Sequence, residues 1–163
     1  MSDTDSDRPT VLFVGSYGET DKSYSIAEKE HADKVAFELG RVFIEKDIDL
    51  AVGGGFKLAV PFAAGATLAC NKRGLKLRDR LTYYYAEDWP PPVDASAGKL
   101  FQIDDTDNFW LRILKQTDAL VAFSGRDNTK SAIDCAELIG IDIFPFGTAG
   151  GASEGDLEEV FRA

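Results

Sequence analysis

The sequence predicts one α/β domain, a parallel sheet flanked by helices, and three observations carry that prediction. Short apolar runs of strand length alternate with stretches whose apolar residues recur at helical spacing, over almost the whole chain. Several of those apolar runs stop at glycine. The length of 163 residues fits a single domain with an ample core, and 44% apolar with 28% charged residues is ordinary globular usage.

The elements follow in order. Residues 1–9 read as a disordered acidic tail, since Asp3, Asp5 and Asp7 stand among few apolar groups, and the domain spans residues 10–163. Residues 10–14 form a buried strand that stops at Gly15. Ser25-Ile26-Ala27-Glu28 has the form of a capping box, in which hydroxyl and carboxylate satisfy backbone donors at a helix start. Ala32, Val35, Ala36, Leu39 and Phe43 then keep one apolar face to about Lys46. Residues 49–52 are a second strand, ending in Gly53-Gly54-Gly55. An Ala-rich helix follows, with Pro61 suited to its first turn and Gly74 to its far cap.

Residues 81–85 are aromatic and strand-like, and the prolines after Trp89 place a loop over residues 86–98. Residues 107–116 present Phe109, Trp110, Ile113 and Leu114 on adjoining helical faces. Residues 119–123 are the clearest buried strand, broken by residues 124–129, where Thr129 suits a helix cap. Helical spacing resumes over residues 131–139 through Ala132, Cys135, Ala136 and Ile139, with Gly140 as its cap. A strand over 141–146, a glycine turn over 147–151 and a helix over 154–161 complete the chain. Alternation of this kind implies right-handed crossovers in a Rossmann-like sheet.

Composition excludes several function classes. A net charge of −10 and a pI near 4.5 leave no broad basic face for nucleic acid. No apolar run reaches the length of a membrane span, and the acidic start is no export signal, so the cytoplasm is the expected compartment. Cys70 and Cys135 sit in helical stretches without a second cysteine or histidine at ligand spacing, and read as buried reduced thiols. His31 reads as a surface or half-buried partner of Glu28, and no metal site is expected. Trp89 and the run Tyr83, Tyr84 and Tyr85 could stack on a base, but tyrosines in a strand are more often core and edge packing.

Chemistry belongs at the carboxyl ends of the strands, where open α/β sheets bind ligands. Four such ends are glycine-bearing: Gly15-Ser16-Tyr17-Gly18, Gly53-Gly54-Gly55, the run from Ser124 and Gly125 to Thr129, and Gly147 to Gly150 and Gly151. Glycine lets backbone N–H groups approach an anion, and a following helix adds the positive end of its dipole. One glycine turn is more often structural than functional, but four on one edge suggest a phosphate-bearing ligand. Gly53 to Gly55 lacks the last glycine of the dinucleotide fingerprint, whose place Leu58 takes, and no Walker sequence is present. Specificity would come from Ser16, Tyr17, Lys57, Arg126, Thr129 and Lys130, with Arg126 best placed to fork onto phosphate oxygens.

The segments Val11-Leu12-Phe13-Val14-Gly15-Ser16, Ala51-Val52-Gly53-Gly54-Gly55 and Asp118-Ala119-Leu120-Val121-Ala122-Phe123-Ser124-Gly125 together resemble the SLOG superfamily of Rossmann-like domains. That superfamily includes the "lonely guy" phosphoribohydrolases, DNA-processing proteins, and sensors of nucleotide second messengers such as cyclic ADP-ribose. The hydrolase branch carries Pro-Gly-Gly-x-Gly-Thr-x-x-Glu after this strand. Here Gly125 and Thr129 match, while Arg126 and Asn128 replace glycines and Ala132 replaces the glutamate. The branch's other basic motif is missing around residues 85–88. Nucleoside deoxyribosyltransferases carry a similar motif with the same glutamate, and Ala132 removes that residue here too. Without that carboxylate the charged sugar-like transition state of N-glycosidic cleavage lacks its stabiliser.

The expected function is therefore binding of a nucleotide or nucleotide-derived signal, such as an ADP-ribose-type ligand. The cradle comprises Gly15, Ser16, Gly53, Gly54, Gly55, Arg126, Thr129 and Lys130, with Gly150 on the same edge. The nucleotide is a ligand and not a cofactor, and none is otherwise implied. The resemblance implies a homo-oligomer, and a sensing role implies a separate effector protein. The alternative is an N-glycosidase acting on nucleotides or nucleosides, with Asp134 or Glu137 as its carboxylate.

Overall fold

The computed structural model describes residues 8–16, 26–53, 56–88, 98–124 and 127–146. Strands β1 (Thr10–Ser16), β2 (Asp49–Gly53), β3 (Leu81–Ala86), β4 (Lys99–Ile103), β5 (Ala119–Ser124) and β6 (Asp142–Phe146) form one sheet, in the order β4-β3-β2-β1-β5-β6. Every pairing is parallel. Helices α1 (Ile26–Glu45) and α2 (Phe56–Arg73) cover one face, and α3 (Phe109–Leu114) and α4 (Asp127–Ile139) the other. The sheet has two buried faces because its strands alternate between them. Val11 and Phe13 of β1 join the core under α1 and α2, while Leu12 and Val14 join the core under α3 and α4.

The α1 stripe is as the periodicity demands: Ala32 and Ala36 are buried, with Val35, Leu39 and Phe43 packed partly against the same core. Gly40 and Ile44 are buried as well. Two glycines bring α1 and α2 into backbone contact. A Cβ on Gly40 would sit 2.0 Å from the Phe62 carbonyl oxygen, and one on Gly65 1.9 Å from that of Phe37. Beneath this contact the Phe13 and Phe62 rings stack at 4.2 Å. Ser25, the expected cap of α1, lies outside the described residues.

Three helices end alike. Leu75 N–H donates to the Cys70 carbonyl and Gly74 N–H to that of Asn71, the paired bonds of a Schellman turn, with Gly74 at φ 68°. Gly140, at φ 79°, closes α4 through the corresponding bonds from Ile141 to Ala136 and from Gly140 to Glu137. At the end of α1 the same bonds run from Ile48 to Phe43 and from Asp47 to Ile44, and the left-handed residue is Asp47, at φ 60°.

The structure departs from the sequence reading at several points. Pro61 stands inside α2, not in its first turn, because the helix begins at Phe56. Its lost N–H is outweighed by burial of Leu58, Ala59 and Phe62 around it. Helix α4 likewise starts at Asp127, so Thr129 is a buried residue of its first turn and not its cap. On α4, Ile133 takes the core position while Ile139 is exposed, and Cys135 is only half-buried. Strand β4 is an edge strand that apolar patterning does not announce, since its first four residues are exposed. The predicted turn over 147–151 and helix over 154–161 lie outside the described residues.

Charged groups are concentrated at the amino ends of the strands. Arg80, its side chain 5% exposed, donates from Nε to Asp49 at 2.7 Å and from Nη2 to Asp47 at 3.1 Å. Arg8 adds a second bond to Asp49 at 2.9 Å, and Arg73 one to Asp47 at 3.0 Å. Arg73 also donates to the Ile44 carbonyl at 2.6 Å, which ties the ends of α1 and α2 together. The Asp47 carboxyl is held below the usual carboxylate range, chiefly by Arg73 and then by Arg80. No helix among the described residues is long and apolar enough to cross a membrane.

Candidate functional site

Strand order decides where a ligand can enter. From β1 the chain builds outward through β2, β3 and β4, and then crosses back so that β5 pairs on the other side of β1. The reversal falls between β1 and β5, and a crevice opens beyond their carboxyl ends at such a point. Ser16 and Ser124 are register partners there, one at the end of each strand. Helix α4 starts at Asp127, three positions beyond Ser124, and α2 starts at Phe56, three positions beyond Gly53. Both connections are short in sequence, so two helix N-termini stand at the edge where the strands end.

Two of the expected cradle glycines have packing reasons of their own. A Cβ on Gly15 would lie 2.0 Å from the carbonyl oxygen of Phe123, so β1 and β5 approach too closely there for any side chain. A Cβ on Gly53 would meet Trp110 at 2.9 Å and Ile113 at 3.4 Å. Gly53 thus makes room for the Trp110 ring, which the sequence presents only as part of a helical apolar stripe. Gly15, Ser16, Gly53 and Ser124 are brought to one edge by the parallel strands, and Lys57 opens α2 beside them. Tyr17, Gly54, Gly55, Gly125, Arg126 and Gly150 lie outside the described residues.

On α4 the residues separate by face. Thr129 and Ala132 are buried against the sheet, Ala132 completely. Lys130, Asp134 and Glu137 are exposed on the opposite side, and Lys130 pairs with Asp134 at 3.3 Å. The position aligned with the hydrolase glutamate therefore points into the core formed with Leu12, Val14 and Ala122. The two alternative carboxylates face solvent.

Burial raises the Cys135 thiol, and it raises that of Cys70 against the opposing charges of Arg80 and Arg73. Both are free thiols, kept in the protonated form that is the poorer nucleophile. Burial also raises the Tyr84 hydroxyl. His31 is exposed on α1, and Tyr83 is buried between half-buried neighbours. Among the described residues no group of three or more His, Cys, Asp or Glu side chains converges to hold a metal ion.

No family model and no curated protein matches the chain. Solved structures do resemble it. TM1055, a structural-genomics target, is 20% identical with a TM-score of 0.64 over 89% of this chain and 78% of its own. DNA processing protein A from Helicobacter pylori, described for its single-stranded DNA binding mode, is 13% identical with a TM-score of 0.65 over 98% of this chain and 76% of its own. The Moco carrier protein from Chlamydomonas reinhardtii is 19% identical with a TM-score of 0.53 over 83% and 74%. Likeness at these identities is likeness of fold, and with the all-parallel sheet and its helical layers it makes this chain a Rossmann-like α/β domain.

Proposed function

We propose that this chain is a ligand-binding domain of the SLOG type that holds a nucleotide or nucleotide-derived molecule at the carboxyl ends of β1, β2 and β5. The observation that carries this reading is the reversal of strand order between β1 and β5, which sets Ser16 beside Ser124 with the start of α4 just beyond. Backbone donors and two helix ends at that edge suit phosphate oxygens, and Arg126, next to α4 in sequence, is the proposed fork for them. The fold neighbours support a binding role without fixing the ligand, since one is described as binding single-stranded DNA and another as a Moco carrier. A homo-oligomer and a separate effector protein complete the proposal.

Binding is preferred to N-glycosidic cleavage because Ala132 is buried and Asp134 and Glu137 face solvent. A thermal-shift series with AMP, ADP, ADP-ribose and NAD tests it. A ligand at one hundred times its Kd stabilises by about 2.7 kcal/mol, a rise in Tm of roughly 5–10 °C for a domain of this size. Arg126→Ala is expected to remove most of that rise while leaving the unliganded Tm unchanged. Base release that Glu137→Gln abolishes would instead establish the hydrolase.

A further inference from the structure

A second recess lies on the α3–α4 face, at the same end of the sheet. It occupies about 600 Å³ between the start of α3, with the single turn before it, and the exposed side of α4. That volume falls within the range of small-molecule sites. Trp110 forms part of its wall while also lying over Gly53 at the end of β2, so one indole connects the recess with the strand-end crevice. Phe109 meets Trp110 edge-on, at 4.9 Å between ring centroids.

Among the described residues that line the recess, the polar groups are Thr106, Asp107 and Asn108 before α3 and Ser131 on α4, and none is a lysine or arginine. With Asp107 the charged group among these described residues, they disfavour phosphate and favour a neutral group bearing N–H donors. An aromatic wall with hydrogen-bonding groups at its rim is what a planar heteroaromatic ring requires. The strand ends offer the converse, backbone donors suited to an anion. The two ends of a nucleotide thus find different chemistry on either side of Trp110.

We infer that this recess receives the base of the bound ligand, stacked on Trp110 with its exocyclic amino group donating to Asp107, while the phosphate lies at the strand ends. The inference rests on the nucleotide reading above and adds a preference: adenine, guanine and cytosine are accepted over uracil, which has no exocyclic amino group to donate.

The chain has two tryptophans, so Trp89→Phe leaves Trp110 as the sole indole emitter. In that background AMP, GMP, CMP, UMP, adenosine and ribose 5-phosphate are titrated by fluorescence and by thermal shift. AMP and adenosine are expected to quench Trp110, and ribose 5-phosphate to raise Tm without quenching. UMP is expected to bind at least tenfold more weakly than CMP. Asp107→Asn should weaken AMP about tenfold and leave ribose 5-phosphate unchanged. Ser131→Trp, at an exposed position that tolerates a large side chain, should block adenosine by filling the recess. If AMP raises Tm but neither quenches Trp110 nor responds to Ser131→Trp, the base lies elsewhere and only this inference falls. If no nucleotide raises Tm, the nucleotide reading falls and this inference with it.

Discussion

At the scale of single residues, the glycines of this chain do different work. Gly40 and Gly65 sit in helix interiors, where alanine is ordinarily the better residue by roughly 0.5–1 kcal/mol. Here each replaces a side chain that would overlap a carbonyl of the facing helix. Gly40→Ala and Gly65→Ala are therefore expected to destabilise by about 2 kcal/mol or more, measured by urea unfolding, as overpacking forces the helices apart. Asp47 is a second residue with a double task, holding a left-handed turn and bonding Arg73 and Arg80. Because its folded-state pKa lies below its unfolded value, its contribution is present above the ordinary aspartate value of 3.8 and is lost as pH falls through the depressed one. Unfolding followed between pH 7 and pH 2.5 should show stability falling with acid, and Asp47→Asn should flatten part of that fall.

At the scale of elements, helix ends are specified locally while helix faces are specified by what they meet. Gly74 and Gly140 have positive φ, and a Cβ on either would meet nothing within 4 Å. Their replacement by alanine should cost only the backbone term, about 1 kcal/mol each. That is less than Gly40→Ala, and the order of the three urea midpoints checks it. The faces of α4 carry the functional distinction. Ala132→Glu restores the residue of the hydrolase motif, but at a site enclosed by apolar groups. The expected result is a loss of more than about 3 kcal/mol from a buried unpaired carboxylate and no base release, read by unfolding and by nucleotide incubation.

At the scale of the whole molecule, the two ends of the sheet have divided roles. The amino ends hold the arginine–aspartate network, which fastens the turns between α1 and β2 and between α2 and β3. Among the described residues the carboxyl ends hold Gly15 and Gly53, the starts of α2 and α4, and Trp110. Much of the fold was legible in the sequence, because strand and helix periods are local: β1, β2, β3, β5, β6 and the stripe of α1 stand where the apolar patterns put them, and Gly74 and Gly140 cap as their positions suggest. The missed elements have physical causes. Strand β4 is exposed along most of its length, so no apolar alternation marks it; α4 starts before its apolar stripe does, and α2 starts at Phe56, ahead of the Pro61 that suits a first turn. By itself the sequence determined the layered α/β class, because hydrophobic period selects element type, and it placed the glycine-bearing strand ends. Only the tertiary structure decided that Gly15 and Gly53 are required by Phe123 and Trp110, that Ala132 faces the core, and that Trp110 lines the α3–α4 recess while reaching the end of β2. Those are contacts between segments distant along the chain, and strand order, which no local pattern encodes, brings them together.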